Sequence, residues 1–249
     1  MSRLMIIPAA GLGLRLQSAT PKLLFPVNGR PMIDYLFDLY SPVVERFILV
    51  LHPSSEGAVR RHCAGFDLRI EYELQPSPTG MLDAILVPRA RVRRREPSQV
   101  WITWCDQIAV SPETVAKLRE MADREGEAAL IMPTVVRNDP YIHLARNDRG
   151  EIVKILHRRE GDHLPERGES DMGLFCLSRQ AYVELLPNFA REEGQSNVTR
   201  ERNFLPFISW LAGRAAVSSF PVHNEIESVG VNTMDDLSRI ERYLRNEGE

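Results

Sequence analysis

Residues 4–15 read LMIIPAAGLGLR, an apolar run that passes directly into small residues and two glycines. The run at residues 4–7 shows no polar alternation and ends in turn residues, which predicts a strand buried on both faces. Small residues let a backbone approach a phosphate, and glycine can aim several N–H groups into one space. The residues that we expect to bind phosphate are Ala9, Ala10, Gly11 and Gly13.

Two other glycine loops compete for this stretch. A dinucleotide-binding loop requires a third glycine, but position 16 is leucine, and a P-loop requires Gly-Lys before Ser or Thr, which this stretch lacks. A G-x-G alone is therefore weak support for any one class. The stretch gains specificity from Arg15 and from the Pro21-Lys22 pair that follows. Lys22 is one of only three lysines in a chain that otherwise uses arginine.

The rest of the chain predicts one α/β domain over residues 1–249. Apolar runs predict strands at residues 47–51, 68–72, 100–104 and 128–136. Helical patterns predict helices at 54–63 and 79–90, and two more that begin at residues 31 and 111. Strands without alternation that are separated by helices are typical of a parallel sheet covered on both faces. We expect residues 1–136 to hold the nucleotide and 137–249 to hold an acceptor.

The second half is predicted to be partly antiparallel. Two runs, 141–145 and 152–156, flank a turn-forming segment and predict a hairpin. Further strands are predicted at 174–177 and 216–222, and helices at 179–186, 201–211 and 235–244.

Composition excludes several classes of protein. The chain has 249 residues, of which 43% are apolar and 26% charged, and its net charge is −3. These values are those of an ordinary globular domain and offer no overall attraction to nucleic acid. The longest apolar runs are far short of the ~20 residues that span a bilayer, so no membrane partner is expected. We interpret the arginines of residues 89–95 as a solvated helix end rather than an RNA or DNA patch.

The three cysteines, Cys63, Cys105 and Cys176, are distant from one another and form no C-x-x-C pair. A zinc site or a disulfide frame is therefore not indicated. We expect a cytoplasmic protein, and the sequence does not indicate an oligomeric state.

The order of glycine loop, Arg15 and Pro21-Lys22 resembles the sugar-1-phosphate nucleotidyltransferase family. Its layout is closest to the uridylyltransferase domain of N-acetylglucosamine-1-phosphate uridylyltransferases, without their left-handed β-helix domain. The resemblance extends over about residues 5–237. It implies a Rossmann-like, three-layer nucleotidyltransferase fold with a mixed, mostly parallel sheet and helices on both faces.

The resemblance also implies roles for six residues. Arg15 and Lys22 would carry the phosphate charge as catalytic residues, and Gln75 and Gly80 would contact the base. Asp106 and Asn232, from Trp104-Cys105-Asp106 and Gly230-Val231-Asn232, would hold Mg²⁺. The family's usual Gly-Thr is Gly80-Met81 here, and Cys105 replaces a glycine, so the choice of base stays open.

The acceptor end matches the family less well. His157 stands in place of a glutamate, Asp171 in place of an asparagine, and His143 lies near a position that is usually glycine. We therefore do not carry over the sugar. The candidates for contacting the acceptor are His143, His157, Arg159 and Asp171.

The predicted reaction is Mg²⁺-dependent transfer from a nucleoside triphosphate, with UTP or dTTP favoured, to a sugar 1-phosphate. The partners would be the triphosphate and a phosphorylated small-molecule acceptor. One alternative is a cytidylyltransferase acting on a non-sugar phosphate or phosphonate, for which Tyr141 could bind a quaternary amine. A second alternative is a nucleotide-sensing module without catalysis.

Overall fold

A mixed sheet forms the centre of the protein. The computed structural model describes residues 1–11, 20–77, 79–126 and 128–246. Gly13 and Arg15 thus lie outside the described residues. The sheet contains eight strands within the described part of the chain, in the order β10-β7-β11-β6-β1-β4-β5, with β12 paired to β7. The sheet strands are β1 Arg3–Ala9, β4 Arg46–Leu51, β5 Ile70–Leu74, β6 Gln99–Thr103, β7 Leu130–Asn138, β10 Arg167–Asp171, β11 Leu174–Ser178 and β12 Val217–Val222.

The pairing of these strands is mostly parallel on the nucleotide side. β1 pairs in parallel with β4 and β6, and β4 pairs in parallel with β5. β11 pairs antiparallel with both β6 and β7, so β6 and β7 run in the same direction. The carboxyl ends of β1, β5, β6 and β7 consequently face one edge of the sheet, where open α/β sheets bind ligands.

Helices cover both faces of the sheet. They are α1 Met32–Tyr40, α2 Pro53–Cys63, α3 Met81–Leu86, α4 Arg89–Arg95, α5 Pro112–Arg124, α6 Leu186–Glu192, α7 Pro206–Ala212 and α8 Met234–Asn246. One buried cluster joins β1 to α1, α2, α5 and α8, and a second joins it to α3, α4, α6 and α7. Alternate residues of β1 enter the two clusters: Met5 and Ile7 the first, Leu4 and Ile6 the second. The predicted three-layer α/β fold is confirmed.

Two hairpins lie beside the main sheet. The short strands β2 Pro26–Val27 and β3 Arg30–Pro31 form one of them. The second joins β8 Ile142–Arg146 to β9 Ile152–His157, as the sequence predicts.

Several predicted elements have different limits. The helix predicted at 79–90 is two helices, because Pro88 cannot continue α3 and instead precedes α4. The helix predicted at 201–211 begins at Pro206. A π-helical turn, Ala181–Leu185, precedes α6 where a single helix is predicted. Strand β10 was not predicted.

The arginines of α4 are partly neutralised by strand β5. Arg91 pairs with Glu71 and Glu73 at 2.7 and 2.6 Å, and Arg95 pairs with Glu71 at 3.1 Å. Ion pairs therefore tie Arg91 and Arg95 to the sheet. This differs from the solvated helix end that the sequence suggested. All three cysteines are buried and unpaired. Among the described helices, none has the length and apolar character needed to cross a membrane.

Candidate active site

The carboxyl edge of the sheet gathers the predicted nucleotide-binding residues. Ala9 ends β1 and is followed by the buried Ala10 and the exposed Gly11. Gln75 directly follows β5, and Asp106 follows β6 after two residues. Because these strands are parallel neighbours, residues distant in sequence come to one edge of the protein.

Lys22 is held at this edge by a short 3-10 turn. The turn Lys22–Leu24 is closed by the backbone N–H of Leu24, which donates to the carbonyl of Pro21 at 2.8 Å. Leu23, which is 2% exposed, anchors the turn in the core. The buried leucine fixes the backbone, so the lysine beside it projects from a rigid point.

The ammonium of Lys22 joins the two predicted metal ligands. Its Nζ donates to Oδ2 of Asp106 at 2.7 Å and to Oδ1 of Asn232 at 2.9 Å. The side chains of Lys22 and Asp106 are 15% and 13% exposed, so this ion pair is largely shielded from water. The predicted convergence of Asp106 and Asn232 is therefore present, with Lys22 between them.

The segment that carries Asn232 is fastened to the Asp106 loop. The backbone N–H of Val231 donates to the carbonyl of Asp106 at 3.1 Å. Asn232 Nδ2 donates to the carbonyl of Gly230 at 3.3 Å, which turns its Oδ1 toward Lys22. Asp236 fixes the start of α8 by accepting from the N–H and hydroxyl of Thr233 at 2.9 and 2.8 Å. These bonds hold Asn232 in place.

Asp106 and Asn232 fit a magnesium ion. A carboxylate and an amide oxygen are hard ligands, and Mg²⁺ commonly uses one or two such groups while water and substrate phosphates complete its shell. Both oxygens already converge on one positive group, the Lys22 ammonium. Within the described residues no group of three or more His, Cys, Asp or Glu could hold a metal. The fit to Mg²⁺ therefore rests on the two oxygens of Asp106 and Asn232.

Gln75 and Gly80, the two residues predicted to contact the base, lie together. Gln75 is buried, and its Nε2 donates to Oγ1 of Thr79 and to the carbonyl of Gly80, both at 3.3 Å. Gly80 has a φ of +122°, and a β-carbon there would lie 2.4 Å from the backbone of Arg202. A side chain at position 80 is thus excluded by backbone strain and by the close approach of the Arg202 segment.

A cavity of about 440 Å³ opens beside the Asp106–Asn232 pair. Three of the four candidate acceptor residues, His157, Arg159 and Asp171, line it. His143 instead lies against β10, with Nδ1 3.1 Å from the carbonyl oxygen of Glu169, and it is not in the described wall of the cavity. The structure therefore brings three of the four candidates to one space and leaves the fourth behind it.

Burial changes the ionisation of two cavity residues. It raises the pKa of Asp171 to about 6, although the N–H of Gly173 donates to its Oδ2 at 2.9 Å and opposes the shift. Burial lowers the pKa of His157, which favours its neutral imidazole. Arg159 is paired through Nη2 with Oε1 of Glu201 at 3.0 Å.

Several cavity residues were missed by the sequence analysis. They are Gln107, Arg137, Ser228, Asn203 and Phe204. Arg137 had an available signal, because it follows the predicted strand 128–136 directly and β7 ends at the same edge as β6. Asn203 and Phe204 come from a loop before α7, and nothing local in the sequence places that loop beside β6.

Comparison with known proteins agrees with this architecture. The family described as the MobA-like NTP transferase domain matches residues 5–203. This match extends over most of the chain and shows that the protein is a nucleotidyltransferase. The chain belongs to the MobA-like NTP transferase family.

The curated relatives are longer proteins. The chain is 26% identical over 245 residues to a bifunctional GlmU protein of Pelotomaculum thermopropionicum, covering 96% of this chain and 51% of the relative. It is 27% identical over 246 residues to GlmU of Thermodesulfovibrio yellowstonii, covering 97% and 52%. The chain thus spans about half the length of the curated relatives it matches. The resemblance to nucleotidyltransferases is confirmed.

A solved structure shares the fold. CMP:2-keto-3-deoxy-manno-octonic acid synthetase in complex with CTP superposes with a TM-score of 0.70 at 16% identity, covering 99% of this chain and all of that one. The match shows that the two proteins share a fold.

Proposed function

We propose that this protein transfers a nucleotidyl group from a pyrimidine nucleoside triphosphate to a phosphate oxygen of a small acceptor. UTP or dTTP is the favoured donor and a sugar 1-phosphate the favoured acceptor. The observation that carries the proposal is the contact of the Lys22 ammonium with Asp106 and Asn232. Asp106 and Asn232 also line the cavity that is available to an acceptor.

The reaction needs positioning and charge neutralisation rather than a general base. An oxygen of the acceptor phosphate attacks the α-phosphorus, a new P–O bond forms, and pyrophosphate leaves with the electron pair of the broken P–O bond. The attacking oxygen is already anionic, so no proton has to be removed from it. Pre-placed positive groups stabilise the charge that builds up in such a transition state.

Lys22 would contact the α-phosphate or the acceptor phosphate as a point charge. Its turn is anchored by Leu23, so its position is fixed before substrate binds. Arg15 and the N–H groups of the glycine loop would stabilise the departing pyrophosphate. Mg²⁺, held by Asp106 and Asn232, would supply Lewis-acid stabilisation of phosphate charge.

Gln75 supports a pyrimidine donor. A glutamine amide offers a donor and an acceptor, which can pair with the imide edge of uracil or thymine. Its Nε2 is directed at Thr79 and the Gly80 carbonyl, beside the carboxyl ends of β1 and β4. On the acceptor side, Asp171 would accept a hydrogen bond from an acceptor hydroxyl.

A second candidate keeps the chemistry and changes the substrates. Trp104, Tyr141 and Phe204 line the same cavity, and the Trp104 and Phe204 rings meet edge to face with centroids 6.0 Å apart. Aromatic faces bind quaternary ammonium groups. These side chains favour a cytidylyltransferase acting on an amine-bearing phosphate or phosphonate as the alternative.

The test is pyrophosphate release with Mg²⁺, the four ribonucleoside triphosphates and dTTP, against sugar 1-phosphates, phosphocholine and aminoethylphosphonate. Turnover of one sugar pair with UTP or dTTP would support the first proposal, and CTP with an amine-bearing acceptor would support the second. In Asp106→Asn, we expect kcat to fall about a hundredfold or more with an unchanged melting temperature. Full activity in that variant would contradict the role of Asp106 in holding Mg²⁺. Nucleotide binding without turnover across the panel would favour the sensing module.

A further inference from the structure

The cavity is lined by an arginine, Arg137, to which the proposed reaction gives no role. Arg137 lies at the end of β7 and lines the cavity. Within the described part of the chain, no carboxylate lies within 4.0 Å of its guanidinium, whereas Arg159 in the same wall is paired with Glu201. Its Nε is buried without a hydrogen-bond partner among the described residues.

Arg137 is half-buried, and a buried guanidinium N–H is seldom left without an acceptor. A buried N–H without a hydrogen-bond partner is destabilising, and more so when the group is charged. Arg137 makes one side-chain hydrogen bond in the described structure, in which Nη1 donates to Oγ of Ser228 at a long 3.3 Å. That bond orients the side chain but leaves most of its donors unused.

The position of Arg137 is adjacent to the reacting groups. Ser228 accepts from Arg137, and the carbonyl of the same serine accepts from Nε2 of Gln107 at 3.3 Å. Gln107 directly follows Asp106, and Ser228 precedes Gly230 by two residues. The guanidinium is therefore bonded to the segment that leads to Asn232, and that segment is in turn bonded to the residue after Asp106.

We propose that Arg137 binds the phosphate or phosphonate group of the acceptor, holding it beside the Asp106–Asn232 pair. This inference rests on the proposed function. A guanidinium presents a planar fork that matches two phosphate oxygens, and it stays charged at every working pH. Asp171, on the neighbouring strand β10, would then contact the uncharged part of the same acceptor.

The binding test does not depend on turnover. The protein is saturated with Mg²⁺ and an α,β-methylene analogue of UTP, and in a parallel series of CTP, so that the triphosphate site is filled. Inorganic phosphate is then titrated in and followed by calorimetry. Arg137→Gln should weaken phosphate binding about ten- to a hundredfold. Arg137→Lys keeps the charge and loses the planar fork. Its phosphate affinity should lie between those of the wild type and Arg137→Gln.

The matched control is Arg93→Gln, which makes the same charge change at an exposed position on α4. It should bind phosphate as the wild type does. Equal phosphate affinity in Arg137→Gln and wild type would overturn the assignment, as would a wild-type nucleotide complex that binds no phosphate. Unchanged melting temperatures would show that the variants fold.

Kinetics separate this inference from the function itself. With any acceptor that the wild type turns over, Arg137→Gln should raise the KM for the acceptor and leave the KM for the triphosphate unchanged. Wild-type turnover with an unaltered acceptor KM in the variant would refute the role of Arg137 alone. Absence of wild-type turnover would refute the proposed reaction, while the phosphate titration would still decide on Arg137.

Discussion

The α-carbon of Gly230 lies so close to Asp106 that a β-carbon at position 230 would be 2.9 Å from Cγ and 3.0 Å from Oδ2 of that aspartate. The same atom would lie 3.2 Å from Nδ2 of Asn232. The glycine is thus required by space rather than by backbone torsion. It allows both predicted metal ligands to reach the Lys22 ammonium.

Gly230→Ala is expected to displace the Asp106 carboxylate while leaving the core intact. A displacement of about 1 Å in such a site can lower the rate about a hundredfold. We expect a large loss of kcat and a higher Mg²⁺ requirement, measured by pyrophosphate release across a magnesium titration. Gly213→Ala is the matched control, because its β-carbon would meet the nearest atom at 3.8 Å. Equal kinetics in the two variants would contradict this role of Gly230.

Gln75→Ala tests base recognition. Removing the amide loses the groups that would pair with the base, each worth about 0.5–1.5 kcal/mol. The KM for the triphosphate should rise about tenfold, while the acceptor KM stays constant. The differences in kcat/KM among UTP, dTTP and CTP should become smaller. Gln180→Ala, at an exposed position, is the control. An unchanged order of preference among the triphosphates would exclude Gln75 from reading the base.

Part of the nucleotide edge was predictable because Ala9 and Asp106 belong to or follow strands that are mostly apolar. The run before Ala9 and the run before Trp104 each define a buried strand, and parallel strands align their carboxyl ends. Asp106 could therefore be placed from its position alone. Asn232 required the family resemblance, since residues 230–232 precede a helix and end no strand.

The acceptor half was less predictable for a physical reason. Strand β10 reads RGESD, and its strand character comes from pairing with β7 rather than from its own residues. Gly168 within it is required because a β-carbon there would lie 2.5 Å from Nδ1 of His143. That contact also explains why His143 packs behind the cavity wall. Such placements depend on tertiary contacts that no local pattern encodes.

Asp171 makes stability depend on pH. Its pKa is raised from 3.8 to about 6 by burial, so the folded protein binds this proton more tightly than the unfolded chain. The resulting stabilisation is complete below about pH 4 and is lost as the pH rises through about 6, a difference of about 3 kcal/mol. Asp171→Asn cannot ionise and can still accept from the N–H of Gly173.

The free energy of unfolding of Asp171→Asn, measured by urea titration from pH 4 to 7, should therefore exceed that of the wild type at pH 7. The difference should shrink toward pH 4. The exposed Asp67→Asn is the control and should follow the wild type throughout. A gap between Asp171→Asn and wild type that does not vary with pH would contradict the raised pKa. If Asp171 also contacts an acceptor hydroxyl, the variant should show a higher acceptor KM.

Glu227 is expected to link the stability of α5 to the position of Asn232. It is 4% exposed, and its Oε2 accepts from the N–H of Ser111 at 2.9 Å and the hydroxyl of Thr114 at 2.6 Å. Glu227→Ala leaves these buried donors unpaired at a helix N-terminus, which should cost about 2–4 kcal/mol in unfolding free energy. Glu227→Gln keeps an acceptor and should lose less unfolding free energy, and the exposed Glu225→Ala should lose almost none.

Because Glu227 holds the segment that leads to Asn232, Glu227→Ala should also raise the Mg²⁺ concentration needed for half-maximal pyrophosphate release. This is measured below the melting temperature of the variant. If Glu227→Ala is destabilised but its magnesium requirement is unchanged, Glu227 stabilises the start of α5 and does not position Asn232.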